Sequence, residues 1–228
     1  MKQTKIDWCD CTLNPVKGCS NGCEYCYARK LNDRFHFVKD WNKPEFFPEV
    51  LEQLKSKKPK SIFMDSMSDI GLWEKDWLDK TIEAMQQNRQ HRYIFLSKCK
   101  WGYINQKFIF GLDEVLFFGL SVTKVSDLNK LNHTYFDFIS IEPLLEDLQL
   151  DKYIDYPISI KQVIIGAETG NRKNKVIPKK EWVDSIASFC DKHKLRVFMK
   201  ESLREIMGKD FRQDELLWDT NKEASNED

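Results

Sequence analysis

Short apolar runs alternate with helical-period stripes along most of this chain. The runs are Ser61–Asp65, Arg92–Ser97, Val115–Val122, Phe136–Ile141, Gln162–Ala167 and Leu195–Met199. They are apolar throughout rather than alternating, the pattern of strands covered on both faces. Between them, Trp77, Leu78, Ile82 and Met85 predict one helix, and Trp182, Val183, Ile186, Phe189 and Cys190 predict another. Trp101–Lys107 and Val125–Leu131 read as short helices. Strands that return at roughly 20- to 35-residue intervals with helices between them predict a parallel sheet of βα units, hence an α/β fold. An open doubly wound sheet and a barrel both satisfy this rhythm.

The first quarter is less regular. Thr12 to Val16 reads as a leading strand, and a helix is expected from about Glu24 to Phe35, with Tyr27, Leu31, Phe35 and Val38 as its apolar face. Residues 39–60 form a polar passage around a short helix with Phe47, Val50, Leu51 and Leu54 on one stripe. Lys55 to Lys60 is a basic turn that reads as a solvated loop. Asp214, Glu215, Asp219, Glu223, Glu227 and Asp228 stand against one Lys222, so residues 214–228 are expected to be an acidic, frayed tail after a domain of residues 1–213.

Each strand of the series runs into polar residues. Ser66, Ser68 and Asp69 follow the first, Lys98 and Cys99 the second, and Ser121 and Thr123 close the third. Ser140 and Glu142 end the fourth, Glu168 follows the fifth, and Lys200 and Glu201 follow the sixth. Singly, each reads as a cap or ion-pair partner; together they read as groups converging on one site.

Charge and composition narrow the class. Lys+Arg and Asp+Glu both number 36, so the net charge is zero; this argues against a strongly cationic nucleic-acid glove while leaving room for a local basic patch. No apolar run is long enough to span a bilayer, and Met1–Trp8 has no apolar core of a secretion signal. Five of the seven cysteines lie between residues 9 and 26, which in a reducing cytoplasm favours metal binding over disulfides. No Ser-His-Asp set, H-E-x-x-H helix or Walker loop is visible, and His91, His133 and His193 read as surface or loop residues.

The candidate chemistry is in Gly18-Cys19-Ser20-Asn21-Gly22-Cys23-Glu24-Tyr25-Cys26-Tyr27-Ala28. Three thiolates at C-x3-C-x2-C can hold three irons of a four-iron cluster, whereas clusters usually take four cysteines, so one iron would stay open. Tyr25 puts an aromatic ring beside the site. A structural zinc site is the bland alternative; it needs a fourth ligand, which Cys9, Cys11 or His36 would have to supply. Plain buried thiols are a third reading.

The spacing resembles the signature of the radical S-adenosylmethionine (SAM) superfamily. Ile6-Asp7-Trp8, Leu13-Asn14-Pro15-Val16-Lys17-Gly18-Cys19 and the ending Cys26-Tyr27-Ala28 resemble its phage-associated three-cysteine-motif branch, and Cys-Tyr-Ala also resembles the spore photoproduct lyase-like branch. Ser-Met-Ser-Asp, Ser-Val-Thr, Ile-Glu-Pro-Leu and Gly-x-Glu-x-Gly resemble the internal motifs, so the likeness runs from about Ile6 to Lys200. It implies a single-domain partial (β/α)6-type barrel, a [4Fe-4S] cluster on Cys19, Cys23 and Cys26, and SAM chelated to the open iron. It implies an enzyme that cleaves SAM reductively and takes a hydrogen atom from substrate. For SAM it suggests Tyr25, Ser66, Ser68, Asp69, Ser121, Thr123, Glu142 and Lys200, with Lys98 as an alternative carboxylate partner. Cys99 is suggested as a hydrogen-atom donor and Glu168 as a substrate-facing group. Implied partners are a flavodoxin- or ferredoxin-type electron donor and a separately encoded protein. A nucleic acid or nucleotide is the candidate substrate, with Trp41, Phe46, Trp73 and Trp101 offered for stacking beside Lys55–Lys60 and Lys98–Lys100. Cys9 and Cys11 depart from the family pattern and read first as packing residues. The rival from a different class is a non-catalytic zinc-binding or Fe–S-binding interaction module.

Overall fold

A computed structural model describes residues 1–99, 111–133, 135–154 and 159–219. The expected helix Trp101–Lys107 and Lys100 lie outside the described residues. The chain divides into two compact units, Met1–Leu120 and Ser121–Asp228.

The first unit contains, in chain order, β1 (Lys2–Gln3), β2 (Cys11–Thr12), β3 (Val16–Lys17), α1 (Tyr27–Phe35), β4 (Glu45–Phe46), β5 (Ser61–Phe63), α2 (Lys75–Gln86), β6 (Arg92–Ser97) and all but the last residue of β7 (Leu116–Ser121). β1 lies antiparallel to β2, and β2, β5, β6 and β7 follow in parallel order. β3 and β4 form a separate antiparallel pair. The strands are buried on both faces as their composition requires: Ile62, Phe63, Tyr93, Ile94, Phe95, Leu116, Phe118 and Leu120 are all buried. α2 covers them with Leu78, Ile82 and Met85. Leu51 and Leu54, on a 3-10 helix over Pro48–Lys55, supply the stripe expected from residues 39–60.

The second unit contains β8 (Phe138–Ile141), α3 (Leu150–Tyr153), β9 (Gln162–Ile165), α4 (Lys180–Lys192), β10 (Arg196–Met199) and α5 (Arg204–Met207). β8, β9 and β10 are parallel, with Ile139 opposite Val163 and Val163 opposite Val197. α4 buries Val183, Ile186, Phe189 and Cys190, the predicted stripe. Each such side chain is worth about 1.5–3 kcal/mol of transfer free energy.

Four expectations are corrected. The leading strand over Thr12–Val16 is two short strands, β2 and β3, separated at Pro15, which has no N–H to continue a ladder. α1 begins later than Glu24 and turns its other face inward: Ala28 and Asn32 are buried, while Tyr27, Leu31 and Phe35 are exposed. The reason is Asn32, whose side chain both donates to the Val38 carbonyl at 3.2 Å and accepts from the Val38 N–H at 2.9 Å, rolling that face onto the returning chain. His91 is buried, its Nε2 2.9 Å from the Leu54 carbonyl, and burial pushes its pKa down. Finally, the tail does not begin at Asp214. Leu216 and Trp218 are buried, Trp218 meets Phe138 edge-on at 5.1 Å, and buried Gln162 accepts from the Leu217 N–H at 3.0 Å. Residues 220–228 lie outside the described residues.

Candidate functional site

In the first unit, the cysteine loop is tied at both ends. Gly18 N–H donates to the Met67 carbonyl at 3.0 Å and Cys19 N–H to the Trp41 carbonyl at 2.7 Å. Gly18 has a φ of +107°, and a Cβ there would meet Pro44 Cα at 2.9 Å, so only glycine fits. Cys26 is the N-cap of α1: its Sγ accepts from the Arg29 N–H at 3.3 Å. A thiolate or an anionic cluster at this helix end is favoured by the dipole.

Cys19, Cys23 and Cys26 are free and half-buried. Burial pushes the Cys19 thiol up to about 12; the charges of Asp69, Cys23 and Cys26 add to the rise, and the Asn21 N–H opposes it. Cys19 and Cys26 also rest on one small apolar cluster of Ala28, Val38 and Trp41, together with Phe47 and Met67. Among the described residues, no three His, Cys, Asp or Glu side chains form a group able to hold a metal ion. The donor set suits a larger object. Three soft thiolates on one loop match an Fe–S cluster, which binds each thiolate to a different iron and so keeps them further apart than one zinc ion would.

The segment after β5 closes over this loop. Asp69 is buried and accepts four hydrogen bonds: Gly71 N–H at 2.9 Å and Ser97 Oγ–H at 2.7 Å on one oxygen, Asn21 Nδ2–H at 2.6 Å and Lys98 N–H at 2.9 Å on the other. Its carboxylate thus joins the middle of the cysteine loop to the end of β6. Asp65 is fully buried nearby; burial, then the Asp69 charge, push it well above the usual carboxylate range. Ser66 donates to Asn14 Oδ1 at 3.0 Å, and its carbonyl accepts from the Tyr27 hydroxyl at 2.7 Å. Ser68 accepts from the Trp73 indole at 3.0 Å. The Lys98 ammonium lies 5.4 Å from the centre of the Tyr25 ring. Cys99 Sγ is 3.9 Å from Asn21 Oδ1, in space that exists because residue 71 is glycine: a Cβ there would meet Cys99 Cβ at 2.6 Å. Tyr25, Ser66, Ser68, Asp69, Lys98 and Cys99 are therefore all linked to the cysteine loop or to the segment hydrogen-bonded to it.

Three of the stacking candidates are packed against the protein's own side chains. Trp41 is buried, Phe46 stacks on Trp77 at 6.0 Å, and half-buried Trp73 meets Phe95 edge-on. Trp101 lies outside the described residues. Cys11 is buried with Sγ 3.9 Å from the Ser61 carbonyl, a packing role as expected.

In the second unit, Glu142 and Lys200 form an ion pair between the ends of β8 and β10. Glu142 precedes a cis Pro143. Ser121 and Thr123 are buried, and Thr123 donates through N–H and Oγ to Asp127 at 3.0 and 3.1 Å. Burial alone would raise Asp127, but Lys130 and Thr123 outweigh it and hold the carboxyl below its usual range. Glu168 is buried and takes a bidentate pair of 2.6 Å bonds from Arg172. Sequence reasoning passed over Asn14, Asn21, Ser97 and Arg172. Asn21 had a local signal, an Asn-Gly pair inside the cysteine loop, and Asn14 stood in the Leu13–Cys19 string; Ser97 and Arg172 had none.

A family model described as "Protein of unknown function (DUF5131)" matches residues 3–216. No curated protein matches the sequence. Solved structures of spore photoproduct lyase are similar in fold. A cysteine-to-serine mutant superposes with a TM-score of 0.56 at 11% identity, over 87% of this chain and 78% of that one. A cysteine-to-alanine mutant with dinucleoside spore photoproduct gives 0.59 at 10%, and a tyrosine-to-phenylalanine mutant 0.57 at 10%, with the same coverage. At this identity the likeness shows the fold. It is the α/β, partial-barrel fold of the radical SAM kind expected from the sequence.

Proposed function

We propose that this chain, which belongs to the family described as protein of unknown function (DUF5131), is a radical SAM enzyme that holds a [4Fe-4S] cluster through Cys19, Cys23 and Cys26. The observation that carries the reading is a three-cysteine loop, clamped by Asp69, in a chain with the fold of spore photoproduct lyase. When bound, the cluster and SAM supply reductive cleavage of a carbon–sulfur bond and removal of a hydrogen atom from substrate. The chain's own residues bind and orient. Three thiols give up their protons on ligation. Asp69 holds the loop between them, and the N-terminus of α1 faces the added negative charge.

By their resemblance to the superfamily's motifs we propose Tyr25, Ser66 and Ser68 as SAM-binding residues in the first unit and, separately, Ser121, Thr123, Glu142 and Lys200 in the second. Asp69, with four donors already on its carboxylate, is assigned to the loop before the cofactor. Cys99 is proposed as a hydrogen-atom donor because its thiol lies against Asn21 of the cysteine loop. Glu168, paired with Arg172, is proposed to face substrate. Membership of the phage-associated branch, a cytoplasmic location, a flavodoxin- or ferredoxin-type reductant and a separately encoded partner belong to the same reading. Among the described residues no helix is long and apolar enough to cross a membrane. A nucleic acid or nucleotide is the substrate class to test first, as one similar structure holds a dinucleoside photoproduct.

The test is anaerobic reconstitution with iron and sulfide, followed by optical and EPR spectra with and without SAM. A four-iron signal that shifts on adding SAM, and is lost in Cys19→Ala, Cys23→Ala and Cys26→Ala, supports the reading. A colourless protein that takes up zinc and fewer than three irons per chain overturns it in favour of an interaction module.

A further inference from the structure

Trp41 lies in the first unit and is the least expected member of the thiol environment. It is 6% exposed, and its indole Nε1–H is buried with no acceptor in reach. Buried indole N–H groups normally find a partner, because an unmade hydrogen bond in a dry site costs the full desolvation of the donor. The partly buried apolar side chains packed on the cluster of Ala28, Val38 and Trp41 are Cys19, Cys26, Phe47 and Met67. The acceptor atoms these side chains carry are sulfurs. The Cys26 sulfur already takes the Arg29 N–H. Trp41 is also held in register with the thiols, since its carbonyl accepts from the Cys19 N–H at 2.7 Å and lies 3.1 Å from where a Cβ on Gly18 would sit.

We infer that the Trp41 indole N–H is a hydrogen-bond donor to a sulfur of the cluster held by Cys19 and Cys26, and that it sets the cluster's reduction potential. The inference rests on the functional reading above. An N–H donated to a cluster sulfur stabilises the extra electron of the reduced state, and hydrogen bonds to the sulfurs are among the main controls of Fe–S potentials. Trp41 touches neither SAM nor substrate in this role; it is a positioning residue acting through the metal centre.

The experiment is an EPR-monitored redox titration of the reconstituted wild type and Trp41→Phe. At the poise where the wild-type cluster is half reduced, the variant should be about tenfold more oxidised, a fall of about 59 mV for a one-electron couple. Replacing Trp41 by benzothienylalanine, which keeps the ring shape and puts sulfur in place of N–H, should give the same fall. It keeps the test open if phenylalanine disturbs folding. Pulsed EPR in deuterated buffer should show one more exchangeable deuteron coupled to the wild-type cluster than to that of either variant, beyond the Arg29 N–H deuteron at the Cys26 sulfur that all three share. A four-iron cluster whose potential and deuteron coupling are unchanged by both substitutions overturns the inference and leaves the functional reading standing. A wild-type protein that forms no cluster overturns both.

Discussion

Replacing Asp69 should separate a structural clamp from a free ligand. Its carboxylate accepts from Gly71, Ser97, Asn21 and Lys98. Ser97 is 2% exposed, so its hydroxyl has no water to turn to when the acceptor goes; Asn21 is exposed and is rehydrated at little cost. Hydrogen bonds to a charged group are worth about 1.5–3 kcal/mol each, and bonds sharing one carboxylate do not add fully. Asp69→Ala should therefore cost about 3–5 kcal/mol of unfolding free energy. Asp69→Asn should cost about 2 kcal/mol, because the new amide presents N–H to Asn21 and Lys98, which are themselves donors. Urea denaturation of the reduced, metal-free protein measures both. The same variants should take up less iron than the wild type, since the loop between Cys19 and Cys23 loses its tether. A double-mutant cycle with Asn21→Ala isolates that tether and should show about 1 kcal/mol of coupling. A loss below about 1 kcal/mol in Asp69→Ala, with no coupling to Asn21, would refute the clamp. One consequence runs through Asp65: removing the Asp69 charge removes a cause of its raised pKa, so Asp65 should titrate lower in Asp69→Asn.

Two other outcomes are expected. Burial pushes the Cys190 thiol up to about 12 from its ordinary 9.0. A raised thiol pKa stabilises the fold fully below 9 and loses that contribution as pH climbs toward 12, by about 1.4 kcal/mol per unit in between. Metal-free wild type should therefore lose stability from pH 9 to 10.5 more steeply than Cys190→Ala, and parallel slopes in urea titrations would contradict this. Trp218→Ala should cost about 3–5 kcal/mol, as for other buried aromatics. A chain ending at residue 213 should be destabilised similarly in thermal unfolding while one ending at 219 is not; equal melting of the two would restore the tail to Asp214.

What the sequence determined by itself was local. β6 falls on Arg92–Ser97 residue for residue, because a run of six residues between polar breaks has the length of a strand and is too short for a typical helix. The stripe of α4 and the C-x3-C-x2-C loop were equally plain, since period and spacing are properties of neighbours in the chain. The tertiary structure decided everything that joins distant residues. Asn21 meets Asp69 across 48 positions and Glu142 meets Lys200 across 58, so three candidate cofactor ligands, Asp69, Glu142 and Lys200, proved to have protein partners. The face of α1 was misread because Asn32, a polar residue in an apolar-looking frame, is buried by its paired bonds to Val38. Residues 214–218 looked like solvent-loving tail because they open the stretch 214–228, in which six acids stand against one lysine. They pack because Gln162 and Phe138, about 50 and 80 residues earlier, offer a hydrogen-bond acceptor and an aromatic face. Composition reports what a segment would do alone in water, and burial depends on which partner the fold brings to it.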